Sequence, residues 1–286
     1  MTILVLGASG FIGKNVRDYF ANKQGYQLFC PPRDDLDVLD ADSVNSFLSD
    51  HRVDVIINCL DSEPTDKYFE NRIRMFMNLA NCAKHYKKML YFGSGAEYGR
   101  QNELVCVSEM DIGKKMPTDS YGLALFTINE LSRKSENIYN LRLFGIFGKY
   151  EIWQRRFISN AICKKLYGYP ITIRQDRIMS YTDVADLMRV VEWFINNDPK
   201  YHDYNVVQGV PISLKTLATM VNSQKGNDVP LFVAKEGKSF EYSGSGSRLG
   251  NECGIHFRTI EESISQLYKW YEERLETINR EPLLYQ

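Results

Sequence analysis

No run of about 18 apolar residues occurs in the chain, so no membrane-spanning helix is expected. An excess of charge is missing as well: 35 Lys and Arg against 36 Asp and Glu leave a formal net charge of -1. That balance argues against general binding to nucleic acid or to a membrane surface, but not against a local basic pocket. Histidine is scarce, with four in the chain. None has paired metal-ligand spacing to another histidine, and no metal site is expected. Cys30, Cys59, Cys82, Cys106, Cys163 and Cys253 include no C-x-x-C pair, and several lie in apolar runs such as "VIINCL". This is the pattern of reduced, mostly buried thiols in a cytosolic protein. From "MT" the chain passes straight into the strand pattern "ILVLG". That leaves no room for a signal peptide, so a cytoplasmic location is the expectation.

What the 286 residues do contain is a rhythm. "ILVLG" leads to "FIGKNVRDYFANK", "QLFC" to "ADSVNSFLSDH", and "VDVIINC" to a long helix expected from about Asp66 to Tyr86. "KMLYFGS" is followed by a loop and by the helix containing Tyr121, and "IYNLRLFG" closes the series. Nearly continuous apolar strands, each followed by a helix, predict a doubly wound α/β domain with a parallel sheet covered on both faces. The expected dinucleotide-binding domain spans residues 1–150 and takes in about 178–206. A smaller mixed α/β substrate lobe takes 151–177 and 207–286. After about Gly148 "YEIWQRRFISNAICKKLYG" reads as helix, "ITIRQ" as strand and "YTDVADLMRVVEWFINN" as amphipathic helix. A helix opens at Ser213, Thr259 and Glu262 fit a capping box, and "EYSGSGSRLGN" reads as a flexible turn cluster.

"LVLGASGFIGKNV" places Gly7, Gly10 and Gly13 where the first strand meets the first helix. Such a triplet needs one glycine for the tight turn, one for close approach to a pyrophosphate and one for helix-to-sheet packing. The free N–H groups and dipole of the helix N-terminus then face the phosphates. Dinucleotide binding is the reading.

The G-x-x-G-x-x-G spacing resembles that of the extended short-chain dehydrogenase/reductases, in the nucleotide-sugar epimerase, dehydratase and reductase group. "YFGSGAEYG" resembles the family's serine strand and loop, "SYGLAL" its tyrosine helix and "LRLFGIFG" the strand that follows. "YNVVQGVPISLKTLA" and "SRLGNECGIHFRTIEESI" resemble its later segments. The resemblance implies cofactor contacts from Gly7, Ser9, Gly10, Phe11, Ile12 and Gly13, with Cys59 and Leu60 after the third strand. In "CPPRDDLDVLD" Arg33 stands where a 2′-phosphate would sit, and the segment is similar to that of the NADPH-using GDP-fucose synthase branch. Asp34 and Asp35 follow at once, so NADP(H) is expected, with NAD(H) second; Asp37 and Val38 map to the adenine contacts.

The same resemblance makes Tyr121 the proton-exchanging tyrosine and Ser94 the hydroxyl that holds the reacting oxygen. Leu125 occupies the place of the lysine one helical turn on. Losing an adjacent ammonium and its bond to the ribose predicts a rate loss on the order of 10²–10⁴. Glu97 is a candidate second acid/base, and Lys114 and Lys115 are candidate substitute cations. A family Asn six places before Asn78 falls on Arg72 here, with Asn71 one place off, and in "TDVAD" only Asp186 matches the family's second acidic residue. Arg155 and Arg156, with Arg177 and Arg248 as outer members, are expected to clamp a nucleotide diphosphate, and Trp153 or Phe157 to stack on its base. Ile73, Phe76, Met77 and Ala80 form one helix stripe, and a homodimer is expected through this helix and the tyrosine helix. The leading expectation is an NADP(H)-dependent oxidoreductase that reduces a nucleotide-linked keto-sugar at C4. An epimerase or dehydratase with retained NAD(P), and a catalytically impaired regulatory homologue, stay open as alternatives.

Overall fold

The computed structural model describes residues 1–62 and 64–284. The first half alternates β1 (Thr2–Leu6), α1 (Phe11–Phe20), β2 (Gln27–Phe29), α2 (Ala41–Asp50), β3 (Val55–Asn58), α3 (Tyr68–Ala80) and β4 (Lys88–Ser94). It continues through β5 (Leu104–Val107), α4 (Ser120–Ser132), β6 (Ile138–Leu143) and β7 (Gly145–Phe147). The rest comprises α5 (Phe157–Leu166), β8 (Ile171–Asp176), β9 (Ile178–Asp183), α6 (Val184–Asn196), β10 (Asp203–Val206) and β11 (Gln208–Ser213). After these come α7 (Leu214–Asn222), β12 (Leu231–Lys238), β13 (Tyr242–Gly244), α8 (Ser247–Cys253) and α9 (Ile260–Glu272).

Six strands form the main sheet in the order β10-β6-β4-β3-β1-β2, every pairing parallel. Successive residues of a strand point to opposite faces, and here both faces are buried. Ile3 and Val5 pack with α1 and α6, while Leu4 and Leu6 pack with α2 and α3. The doubly wound α/β fold expected from the sequence is the fold observed. Between β1 and β3 the winding reverses, which opens a crevice at the carboxyl ends of the strands where α/β sheets bind ligands. A mixed sheet in the order β11-β9-β13-β5, with β7 beside β9, abuts this end, and a separate core gathers α5, α7, α9 and β8.

Local expectations fared unevenly. Thr259 Oγ1 accepts from the Glu262 N–H and Glu262 accepts from the Thr259 N–H, the predicted capping box. The helix expected to run to Tyr86 ends at Ala80, because the Cys82 N–H and the Tyr86 hydroxyl both donate to the Leu79 carbonyl. The helix expected from Tyr150 starts at Phe157, Tyr150 itself having a φ of 69°. Tyr181 to Asp183 belong to β9, and Asp183 caps α6 by accepting from the Ala185 N–H. The largest correction concerns "EYSGSGSRLGN". It is β13 followed by α8, with Tyr242 paired to both β5 and β9.

Candidate active site

The glycine loop lies in the crevice between β1 and β3. Gly7 has a φ of +72°, and a Cβ on Gly13 would stand 2.2 Å from the Gly7 carbonyl oxygen, so this turn is closed to larger residues. The Gly10 N-cap of α1 carries no side-chain cap, leaving its first N–H groups for an anion. Ser9 and Gly10 are exposed at the loop tip, while Phe11 and Ile12 are half-buried against the core. Cys59 and Leu60 follow β3 directly across the crevice, and the Cys59 N–H donates to the Leu6 carbonyl at 3.0 Å. The loop, the exposed helix N-terminus and these two half-buried residues fit a dinucleotide diphosphate.

After β2, Arg33 is 72% exposed and within 3.5 Å of the Asp37 carboxylate. Asp37 is further tied down by accepting from the Leu39 N–H, and the Val38 carbonyl accepts from the Asn78 amide. Both potential adenine-side residues are therefore held in place while the guanidinium remains open to solvent.

Ser94 ends β4, and its Oγ lies 3.3 Å from the Tyr242 hydroxyl. Tyr121 sits in the first turn of α4, whose N-cap Asp119 accepts from the Gly122 N–H. A Cβ on Gly122 would come within 2.8 Å of the Ala96 carbonyl oxygen, so the sequence "SYG" lets α4 press onto the turn after Ser94. The Tyr121 ring is 6.0 Å from that of Tyr68, and the Arg100 guanidinium lies 5.2 Å from its centroid. Burial pushes the Tyr121 phenol above the usual tyrosine range; the Ser94 hydroxyl and Arg72 act against this, Asp61 and Glu97 with it. The result is a protonated phenol beside a hydroxyl at the mouth of the crevice.

Residues 3–207 match the NAD dependent epimerase/dehydratase family. The chain belongs to this family. A curated relative, GDP-L-colitose synthase from Yersinia pseudotuberculosis, is 25% identical over 187 residues, which cover 58% of this chain and 60% of that protein. Among solved structures, a GDP-L-fucose synthetase from Naegleria fowleri bound to NADP aligns with a TM-score of 0.80 at 17% identity. That alignment covers 96% of this chain and 95% of the other. The GDP-mannoheptose C4 reductase of Campylobacter jejuni with NADP bound gives 0.77 at 16%, covering 95% and 98%. At such identities the structures share the fold with this chain.

Two positions where this member of the epimerase/dehydratase family departs from the expected pattern are both buried. Leu125, on α4, is 1% exposed. Arg72, on α3, donates from Nη1 to the Leu60 carbonyl and lies 3.7 Å from Asp61. Lys114 is paired to Asp111 and, like Lys115, is exposed.

Other expected site residues are placed differently from the sequence reading. Glu97 was a candidate acid/base, but it is fully buried beneath Ser94. Its carboxylate accepts from the Ser94 N–H at 2.9 Å, from Arg142 Nε at 2.7 Å and from the Asn140 amide. Burial pushes its pKa up, yet the always-charged Arg142 in contact holds it as a carboxylate. Glu97 fixes Ser94 and has no open face toward a substrate. Arg248 was an expected outer clamp, but it is committed to Asp203 at 3.0 Å and Glu109 at 3.7 Å and stacks over Tyr201. It offers no unpaired charge to a diphosphate. Arg155 and Arg156 are exposed just before α5. Arg177 lies 5.2 Å from the Tyr242 ring centroid and donates to the Phe240 carbonyl.

Tyr242 and Arg100 escaped the sequence reading. Tyr242 lies in a Gly- and Ser-rich stretch whose composition signals a turn. Only pairing with β5 and β9, remote in sequence, brings it to Ser94. Arg100 carried no motif.

Proposed function

We propose that the chain is an NADP(H)-dependent reductase of a nucleotide-linked 4-keto-sugar, with NAD(H) as the second choice of cofactor. The observation that carries this reading is the half-buried Tyr121 beside Ser94, at the same carboxyl end of the sheet as the glycine loop. The similarity to GDP-L-fucose synthetase and GDP-mannoheptose C4 reductase, both solved with NADP, supports it.

The cofactor, when bound, supplies a hydride to the carbonyl carbon. Gly7, Ser9, Gly10, Phe11, Ile12 and Gly13 hold its diphosphate, Cys59 and Leu60 line its course, Asp37 and Val38 flank the adenine, and Arg33 meets the 2′-phosphate. Ser94 Oγ donates a hydrogen bond to the sugar carbonyl oxygen, with its rotamer fixed by Tyr242 and by the Glu97-anchored turn. Tyr121 gives its proton to that oxygen as the carbon–hydrogen bond forms, and solvent then reprotonates the phenolate. Arg177, Arg155 and Arg156 supply cations for the nucleotide diphosphate, within a lobe formed by residues 151–177 and 207–286. The same proposal includes a cytoplasmic location and a homodimer through α3 and α4, where Ile73, Met77, Leu123 and Phe126 remain half-buried.

The test is NADPH consumption with a panel of nucleotide 4-keto-sugars. Turnover supports the reading; failure to bind both a nicotinamide cofactor and any sugar nucleotide sinks it. The second reading, a nucleotide-binding protein without turnover, is favoured by Leu125, and binding without consumption would be its signature.

Arg33 gives a separate prediction. A charge-assisted contact is worth about 1.5–3 kcal/mol, and this one sits in solvent. Arg33→Ala is therefore expected to weaken NADPH binding by about tenfold while leaving NADH unchanged, as read by calorimetric titration of both cofactors. Equal losses for the two would remove Arg33 from the 2′-phosphate site.

A further inference from the structure

Leu125 and Arg72 depart from the family's pattern on two neighbouring helices of one site. Leu125 leaves α4 without a cation near Tyr121. Arg72 brings one from α3, where a family Asn is expected. We infer that Arg72 takes over the electrostatic part of the missing lysine's role, as a positioning residue that favours proton release from Tyr121 and fastens the cofactor-facing Leu60 segment. This rests on the reading of Tyr121 as proton donor.

The placement of Arg72 supports the assignment. Its side chain is 10% exposed, and Nη1 is spent on the Leu60 carbonyl. Nε is buried without a hydrogen-bond partner among the described residues, a state that a purely structural arginine rarely tolerates. Among the described residues its one ion-pair partner is Asp61, at 3.7 Å and 64% exposed. Asp61 Oδ1 in turn accepts from the Tyr68 hydroxyl at 2.7 Å, and Tyr68 packs its ring against Tyr121. Arg72, Asp61, Tyr68 and Tyr121 thus form one contiguous group running from the end of β3 to the start of α4.

Among the described residues, the charged and titratable groups around Tyr121 are Asp61 after β3, Tyr68 and Arg72 on α3, Glu97 after β4, Arg100 beyond it, and Tyr242 on β13. Arg142 neutralises Glu97, and Asp119 engages Arg100 through two N–H groups. Burial keeps Tyr68 and Tyr242 protonated. The Arg72–Asp61 balance therefore tunes the phenol, with Asp61 offsetting the guanidinium.

The experiment titrates Tyr121 directly, by NMR of isotope-labelled tyrosine, with the resonance assigned by its loss in Tyr121→Phe. Asp61→Asn, at an exposed position, is expected to lower the Tyr121 titration by about one unit by unmasking Arg72. Asp61→Asn/Arg72→Gln is expected to move it back up by a similar amount, whereas Asp61→Asn/Arg72→Lys keeps the lower value. If the Gln double variant titrates with Asp61→Asn, the inference is overturned. Arg72→Met in the same background is a second charge-free variant should the Gln protein not fold. Leu125→Lys tests the idea without touching Arg72. If the charge is already supplied, keto-sugar turnover rises less than about tenfold; a gain of about 10² or more, within the range expected for a missing ammonium, overturns it. Should the chain turn no substrate over, the titrations still decide Arg72's part, so the two readings fail separately.

Discussion

Tyr121→Phe is expected to reduce keto-sugar turnover by about 10²–10⁴, the usual worth of a positioned general acid. The loss should fall on kcat, with KM nearly unchanged, because the ring keeps its packing against Tyr68 and only a group used in the transition state is removed. The melting temperature should change little, since the hydroxyl is no anchor of the core. The pH profile carries a second, independent expectation. Burial raises the phenol above its ordinary value of about 10, so the proton is present throughout the neutral range. Reduction, which starts from the phenol, should then run flat through neutrality and fall only as pH rises past the raised value. Oxidation of the product alcohol needs the phenolate, at most about a thousandth of the population at pH 7, and should climb with pH over the same interval. The shift thus favours the reductive direction as the one to assay, although the equilibrium itself belongs to the substrates. A Tyr121→Phe protein that keeps wild-type kcat would remove the tyrosine from the chemistry.

Much of this site could be read from the sequence because its parts sit where local rules operate. The glycine loop is written in consecutive residues, and a Cβ at Gly13 has nowhere to go. The alternation of apolar runs and amphipathic segments is imposed by burying both faces of a parallel sheet. Ser94 and Tyr121 stand at the end of a strand and the start of a helix, positions that motif spacing identifies. What could not be read is what non-local pairing decides. β13 has no strand-like composition, and it is ordered because β5 and β9 lie on either side of it, so Tyr242 was invisible. Glu97 and Arg248 looked like available charges because a sequence does not show who neutralises whom; Arg142 and Asp203 do so from β6 and β10. The end of α3 was overrun for a similar reason, since the Tyr86 hydroxyl that closes it returns from beyond the turn.

The second large effect concerns that buried charge network. Arg142 is fully buried on β6, next to edge strand β10, 2.7 Å from Glu97 and 3.2 Å from Asp203, and also donates to Tyr98, Asn205 and Asn129. Removing one partner of a buried pair leaves a charge that neither water nor protein compensates, at about 3–5 kcal/mol. Glu97→Leu is therefore expected to lose that much in denaturant unfolding, a large share of the total stability of about 5–15 kcal/mol typical of folded proteins. It should also lower kcat, because the turn that presents Ser94 hangs on the Glu97 carboxylate. Glu97→Leu/Arg142→Met should recover part of the stability but none of the kcat. Asp203 is not orphaned by the second change, since Arg248 lies at 3.0 Å and Arg133 at 3.9 Å. The double variant is thus expected to be more stable than the sum of the single losses, the non-additivity of groups in contact. A Glu97→Leu loss below about 1 kcal/mol would mean that Asp203 alone suffices for Arg142. The placement of Ser94 would then have to come from the packing of Tyr242 and α4, not from the charge beneath it.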